Sequence, residues 1–108
     1  MLKKKERLTK KEFDRFFSMG KKFHTSSLQM IFTPHPTLHV AVVASKKVYK
    51  TAVKRNKLRR QIYDMVRRHY RKHPTTGVFI IITKPKISEL SREEIQEELL
   101  QLIEKVNN

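Results

Sequence analysis

Cysteine and tryptophan are absent from the 108 residues, and glycine occurs only twice. Without cysteine there is no disulfide scaffold, no thiolate zinc site and no thiol nucleophile. With Gly20 and Gly77 alone, a glycine-rich phosphate loop is excluded. Aspartate is as scarce, since Asp14 and Asp64 are the only two, and most glutamates lie near the C-terminal end. Two-metal phosphodiester cleavage needs carboxylates clustered around paired cations, and no such cluster is in prospect. No Ser-His-Asp constellation suggests itself. His69 and His73 are spaced i, i+4, but Pro74 follows at once and no third ligand is nearby, so no catalytic or metal-binding residue is assigned. No apolar run approaches the roughly 20 residues of a membrane span. Met1 to Arg7 is charged with no apolar segment behind it, unlike a secretory signal. A soluble cytoplasmic protein of one domain, spanning residues 1–108, is the expectation.

What the chain has is positive charge: 25 Lys and Arg against 10 Asp and Glu, a formal +15. Self-repulsion on that scale opposes compaction, so a polyanionic partner is expected. The charge is also unevenly spread. Residues 46–73 hold twelve basic side chains and one acid, Asp64, whereas residues 86–108 hold three basic and six acidic. This pattern reads as a polyphosphate-binding surface with an acidic C-terminal helix turned away from it.

Periodicity gives the coarse fold. Thr9-Lys10-Lys11-Glu12 is a capping box, with Leu8 and Phe13 placed as its staple, so a helix starts there. Phe13, Phe16 and Phe17 form its apolar stripe, and Gly20 suits its C-cap. Leu28 to Thr33 reads as a strand, Pro34-His35-Pro36 interrupts, and Leu38 to Ser45 reads as another. From Thr51 to Tyr70 the period is helical, with Leu58, Ile62, Met65, Val66 and His69 on one face. Val78 to Thr83 is continuously apolar, as a strand covered on both faces should be. Ser91-Arg92-Glu93-Glu94 is a second capping box, and Ile95, Leu99, Leu102, Ile103 and Val106 follow at helical spacing. The fold class is α+β: a small α/β sandwich with a mixed sheet of about four strands, three helices and the order αβββαβα.

The stretch from Ser45 to Arg60 carries the function. A strand ends, a short basic turn follows, and a helix opens with Arg55 and Arg59 one turn apart, Asn56 and Arg60 beside them. Arg forks match phosphate oxygens, and Asn both donates and accepts towards a ribose or base edge. The first helical turn adds free backbone amides.

Here the sequence resembles the protein component of bacterial ribonuclease P. That family carries a strand ending in Ser-Lys-Lys-Val, a turn, then Ala-Val-x-Arg-Asn-Arg-x-Lys-Arg on a helix. Ser45 to Val48, Ala52, Val53, Arg55, Asn56 and Arg60 match. Lys57 replaces the second Arg of Arg-Asn-Arg, and Arg59 replaces its Lys. Tyr49 stands where Gly is usual, and Tyr63 where another Arg is common. The first helix, with Phe13 and Phe17 at two characteristic aromatic positions, the apolar strand and the last helix extend the likeness over nearly the full length.

The resemblance implies a left-handed β-α-β crossover from strand 38–45 through helix 51–70 to strand 78–83, against the general right-handed rule. It implies an accessory protein subunit of an endoribonuclease whose active site is in a large RNA. That holoenzyme requires Mg2+, which the protein itself is not expected to bind, and removes the 5′ leader of precursor tRNA. The protein alone is not expected to cleave, and outside the complex it is expected to be monomeric, with no membrane partner. Lys46, Lys47, Lys54, Arg55, Asn56, Lys57, Arg59 and Arg60, with Arg67 further along, look like the contact with the ribonuclease P RNA. Phe13 and Phe17, with Ile31 facing them where an aromatic is frequent, look like a cleft for the single-stranded leader. A ribosomal-type RNA-binding protein, a DNA-binding helix module and a stand-alone nuclease are the alternatives. The first should lack the aromatic helix, the second should offer base-reading side chains, and the third should have the missing carboxylates.

Overall fold

The computed structural model describes residues 9–107. Leu8, expected to staple against Phe13, lies outside them. The elements are α1 (Lys10–Met19), β1 (Lys21–His24), β2 (Leu28–Thr33), β3 (Leu38–Val43), α2 (Ala52–Lys72), β4 (Gly77–Thr83) and α3 (Arg92–Asn107), with a 3₁₀ turn at Pro85–Glu89. Both capping boxes form. Thr9 and Glu12 bond reciprocally at α1, and Ser91 and Glu94 do so at α3.

The sheet order is β1-β2-β4-β3. β2 pairs antiparallel with β1 and β4, and β3 lies parallel to β4. The expected β-α-β unit therefore links two adjacent parallel strands through α2. β4 is central and buried along nearly its whole length, as its unbroken apolar run requires. Phe79 and Ile81 pack under α2 and α3, with Leu58, Ile62, Met65, Ile95, Leu99 and Leu102. Val78 and Ile80 face the other way, onto Phe16 of α1 and beside Ile31 of β2. The sheet is thus a wall with α1 on one side and the longer helices on the other.

Several details differ from the sequence reading. β3 stops at Val43 rather than Ser45, because Ala44 and Ser45 already enter the turn. On α2 it is Tyr70 that is buried, against Phe79 at 5.3 Å between ring centroids, while His69 sits at the margin. Burial lowers the His69 pKa, and the neighbouring His73 lowers it further. Gly20 does cap α1, but at φ −74, so it does not supply a left-handed turn. It supplies space, since a Cβ there would collide with Ile31 and lie 2.9 Å from the Phe16 carbonyl. Gly77, at φ +127, does need its freedom where the chain enters β4. The 3₁₀ turn begins on Pro85, whose fixed φ suits a first helical position, and plugs the core with Ile87.

α3 is tied to the β1–β2 hairpin by charge-assisted bonds. Glu98 accepts from the Ser27 amide at 3.1 Å, the Ser27 hydroxyl at 2.7 Å and the Ser26 hydroxyl at 3.1 Å. Lys105 of α3 donates to the His24 carbonyl at 3.0 Å, and Lys84, just past β4, holds the same hairpin through the Thr25 carbonyl at 2.8 Å. Partial burial pushes the Glu98 pKa up, but the hydroxyls and amide of the Thr25–Ser27 turn outweigh it and leave it lowered. A lowered folded-state pKa adds stability above the ordinary glutamate range, and that stability is lost as pH falls through the folded value. Glu98→Ala is expected to lower unfolding free energy by about 1–2 kcal/mol, read from urea midpoints. Glu98→Gln is expected to flatten the acid limb of the stability–pH curve relative to the parent chain.

Candidate nucleic-acid interface

The turn between β3 and α2 is built on Ser45, whose carbonyl accepts from the Val48 amide at 3.1 Å. Val48 is pressed into the core at 8% exposure, which turns Lys46 and Lys47 outward. Thr51 caps α2, its hydroxyl accepting from the Lys54 amide at 3.4 Å. No described non-glycine residue has a positive φ, so Tyr49 takes ordinary backbone geometry at its glycine-like position.

Arg55 is half-buried and partly committed. Its Nη1 donates to the carbonyls of Tyr49, at 3.0 Å, and Lys50, at 2.9 Å. It thereby fastens the basic turn to the helix and keeps Nε and Nη2 for another acceptor. Arg59 donates through Nη2 to Asn56 Oδ1, so these two exposed side chains form one unit. Arg60 and Arg67 are also exposed. The stripe that carries Asn56, Arg60 and Arg67 includes Tyr63, whose hydroxyl accepts from the Val42 amide at 3.2 Å on the edge strand. At Tyr63, where the resemblance implies a further cation, the chain instead fastens α2 to β3.

The nine basic-segment residues do not form one ridge. At about 100° per residue, Asn56, Arg60 and Arg67 share one side of α2, Lys57 lies about 60° round from Arg60, and Lys54 about 60° further. Lys54 and Lys57 line a cleft towards α3 with Gln61 and Arg92. Asp64, the sole acid of the segment, pairs with Arg68 at 3.1 Å and Arg92 at 3.5 Å, both solvent-exposed contacts worth little each. The acidic side chains Glu94, Glu97 and Glu98 gather instead by the β1–β2 hairpin.

On the other face of the sheet, Phe13 and Phe17 stack at 5.8 Å between ring centroids. Phe13 is half-buried, and Phe17 is exposed at 39%. Ile31 is sealed under α1 at 1% exposure, so it supports that surface from below and offers no contact of its own. Ala41 and Ile82, half-buried and packed like Phe13 against the cluster of Phe16, Ile31, Val78 and Ile80, are the open floor on this face. The sequence reading did not single them out; the outward register of β3 and β4 is what locates them. Among the described residues no group of three or more His, Cys, Asp or Glu is arranged to hold a metal. His69 and His73 lie with ring centroids 4.9 Å apart, without a third partner.

A family model described as Ribonuclease P matches residues 2–107. The "Ribonuclease P protein component" of Nitratiruptor sp. is 30% identical over 98 residues, covering 91% of this chain and 88% of that one. The protein of the same name from Microcystis aeruginosa is 33% identical over 105 residues, covering 91% and 87%. Among solved structures, the RNase P protein from Thermotoga maritima superposes with a TM-score of 0.82 at 25% identity, covering 93% of this chain and 96% of that one. A Staphylococcus aureus RNase P protein mutant superposes with a TM-score of 0.85 at 20% identity, covering 96% and 90%, and shares the fold.

The two arginines separate by stability. Arg55→Ala, which frees two turn carbonyls, is expected to cost about 1–2 kcal/mol in the absence of RNA. Arg59→Ala is expected to stay within about 0.5 kcal/mol of the parent. Thermal melts of the two variants test this directly.

Proposed function

The chain belongs to the ribonuclease P protein family, and on that premise we propose that it binds the ribonuclease P RNA through the start of α2 and the 5′ leader of precursor tRNA across the α1 face of the sheet. Its place in tRNA processing, within a ribonucleoprotein, follows from the family. The observation that carries the finer reading is the exposure of Asn56, Arg59 and Arg60 on a helix start whose basic turn is held in place by Arg55. A polyanion meets this surface without rearrangement of the fold, and little ordering entropy is spent. Phosphate neutralisation supplies the affinity, and Asn56, oriented by Arg59, is placed for a ribose or base edge.

On the opposite face, the Phe13–Phe17 pair and the floor at Ala41 and Ile82 form an apolar platform. Aromatic platforms accept successive unpaired bases with little sequence preference, at about 1–3 kcal/mol per base. Phe17 is the ring with the free surface, and Phe13 buttresses it. Magnesium acts, in this reading, at the RNA: it supplies the Lewis acid and the activated water. The chain's own residues position the leader and screen phosphate repulsion. No catalytic residue is assigned to the protein, whose role is in the cytoplasm with its RNA.

Arg55→Ala with Arg59→Ala is expected to weaken binding of a ribonuclease P RNA by on the order of 1–3 kcal/mol and to reduce the slope of log affinity against log salt by roughly 0.7–0.9 per lost phosphate contact. Unchanged holoenzyme assembly in that variant would exclude the α2 surface. Phe17→Ala is expected to raise KM for precursor tRNA with a single-stranded leader and to leave a leaderless tRNA's binding unchanged. Cleavage by the purified chain without any RNA subunit would point to a protein nuclease instead.

A further inference from the structure

The cleft on the second flank of α2 has a chemistry distinct from a charged ridge. It is an open pocket of about 360 Å³ between α2 and the segment that leads into α3. Its floor is apolar: Leu58, Ile87 and Ile95 are buried there, and Leu90 is half-buried. Tyr49 forms one wall, with the Lys54 ammonium 6.0 Å from the ring centroid. Gln61, half-buried on the next turn of α2, offers an amide that both donates and accepts. Lys54, Lys57 and Arg92 supply three cations, and among the described residues no carboxylate lines the pocket. Asp64, which pairs with Arg92, bears Arg68 as well.

An apolar floor with one aromatic wall, one side-chain amide and a cationic rim matches a flat heterocycle that carries a phosphate. Inorganic phosphate or a duplex backbone would use the rim and leave the floor bare. A purely apolar partner would leave Lys54 and Lys57 without counter-charge, since Arg92 already meets Asp64. We propose that this cleft takes one unpaired nucleotide of the RNA that α2 binds, with its base between Tyr49 and Leu90, its edge on Gln61, and its phosphate on Lys54 and Lys57. The inference rests on the reading of α2 as an RNA-binding helix. It adds that α2 is gripped on both flanks, by phosphates on one and by an extruded base on the other.

Isotope-labelled protein titrated with adenosine 5′-monophosphate, and separately with ribose 5-phosphate, tests the pocket on the intact chain. The nucleotide is expected to shift the amides of Leu58, Gln61 and Leu90, and the sugar phosphate only those around Lys54 and Lys57. Identical maps for the two probes would overturn the proposal. In the assembled complex, Leu90→Trp fills the cleft and Tyr49→Ala removes its wall, and neither substitution removes a cation. Each is expected to weaken RNA binding on the order of tenfold with the salt slope unchanged, because no phosphate contact is lost. Parental affinity in both folded variants would overturn the nucleotide pocket, as would a reduced slope. The Arg55 and Arg59 double variant reads the other flank, so retained RNA binding there would count against the α2 reading itself.

Discussion

A strand that is apolar on both faces must be covered on both, and β4 is such a strand. Its burial forces helices onto opposite sides of the sheet: α1 over Val78 and Ile80, α2 and α3 over Phe79 and Ile81. Everything functional follows from that partition. The aromatic pair of α1 and the cationic start of α2 come to lie on different sides of one wall, so the two surfaces do not overlap.

α2 has two tasks that conflict in principle. It must pack a stripe of Leu58, Ile62, Met65, Val66 and Tyr70 into the core, and it must display nine of the chain's 25 Lys and Arg side chains. The helix resolves this by using polar groups at the borders of the two faces as fasteners. Arg55 ties down the turn that precedes it, and Tyr63 occupies an edge amide of β3. The second of these also blunts an otherwise open sheet edge. Arg55 is therefore both scaffold and candidate contact, and a single substitution there mixes the two effects.

Much of this was legible in the sequence. Capping boxes at Thr9 and Ser91 placed α1 and α3, because the cap chemistry is local. The run Val78 to Thr83 marked the central strand, because only burial on both faces tolerates it. β1 was not located, since Lys21-Lys22-Phe23-His24 has little apolar alternation and is recruited by pairing with β2. Tyr70 was passed over for His69 because a stripe read at ideal spacing ignores which ring Phe79 meets. For the candidate sites, residue types were legible and their grouping was not. The cover that seals Ile31 depends on contacts distant in sequence, and the turn that brings the Tyr49 and Lys50 carbonyls to Arg55 is irregular backbone that no periodicity marks.

α2 lies by β3 at one edge of the sheet, while Glu94, Glu97 and Glu98 of α3 cluster by the hairpin at the other. The molecule is consequently polarised sideways, along the direction in which its strands are stacked. In the field of a large polyanion such a body experiences a torque before it experiences contact, within the roughly 8 Å over which physiological salt lets charges be felt. On the RNA-binding reading proposed above, the β3 edge is the side that such a field draws in first.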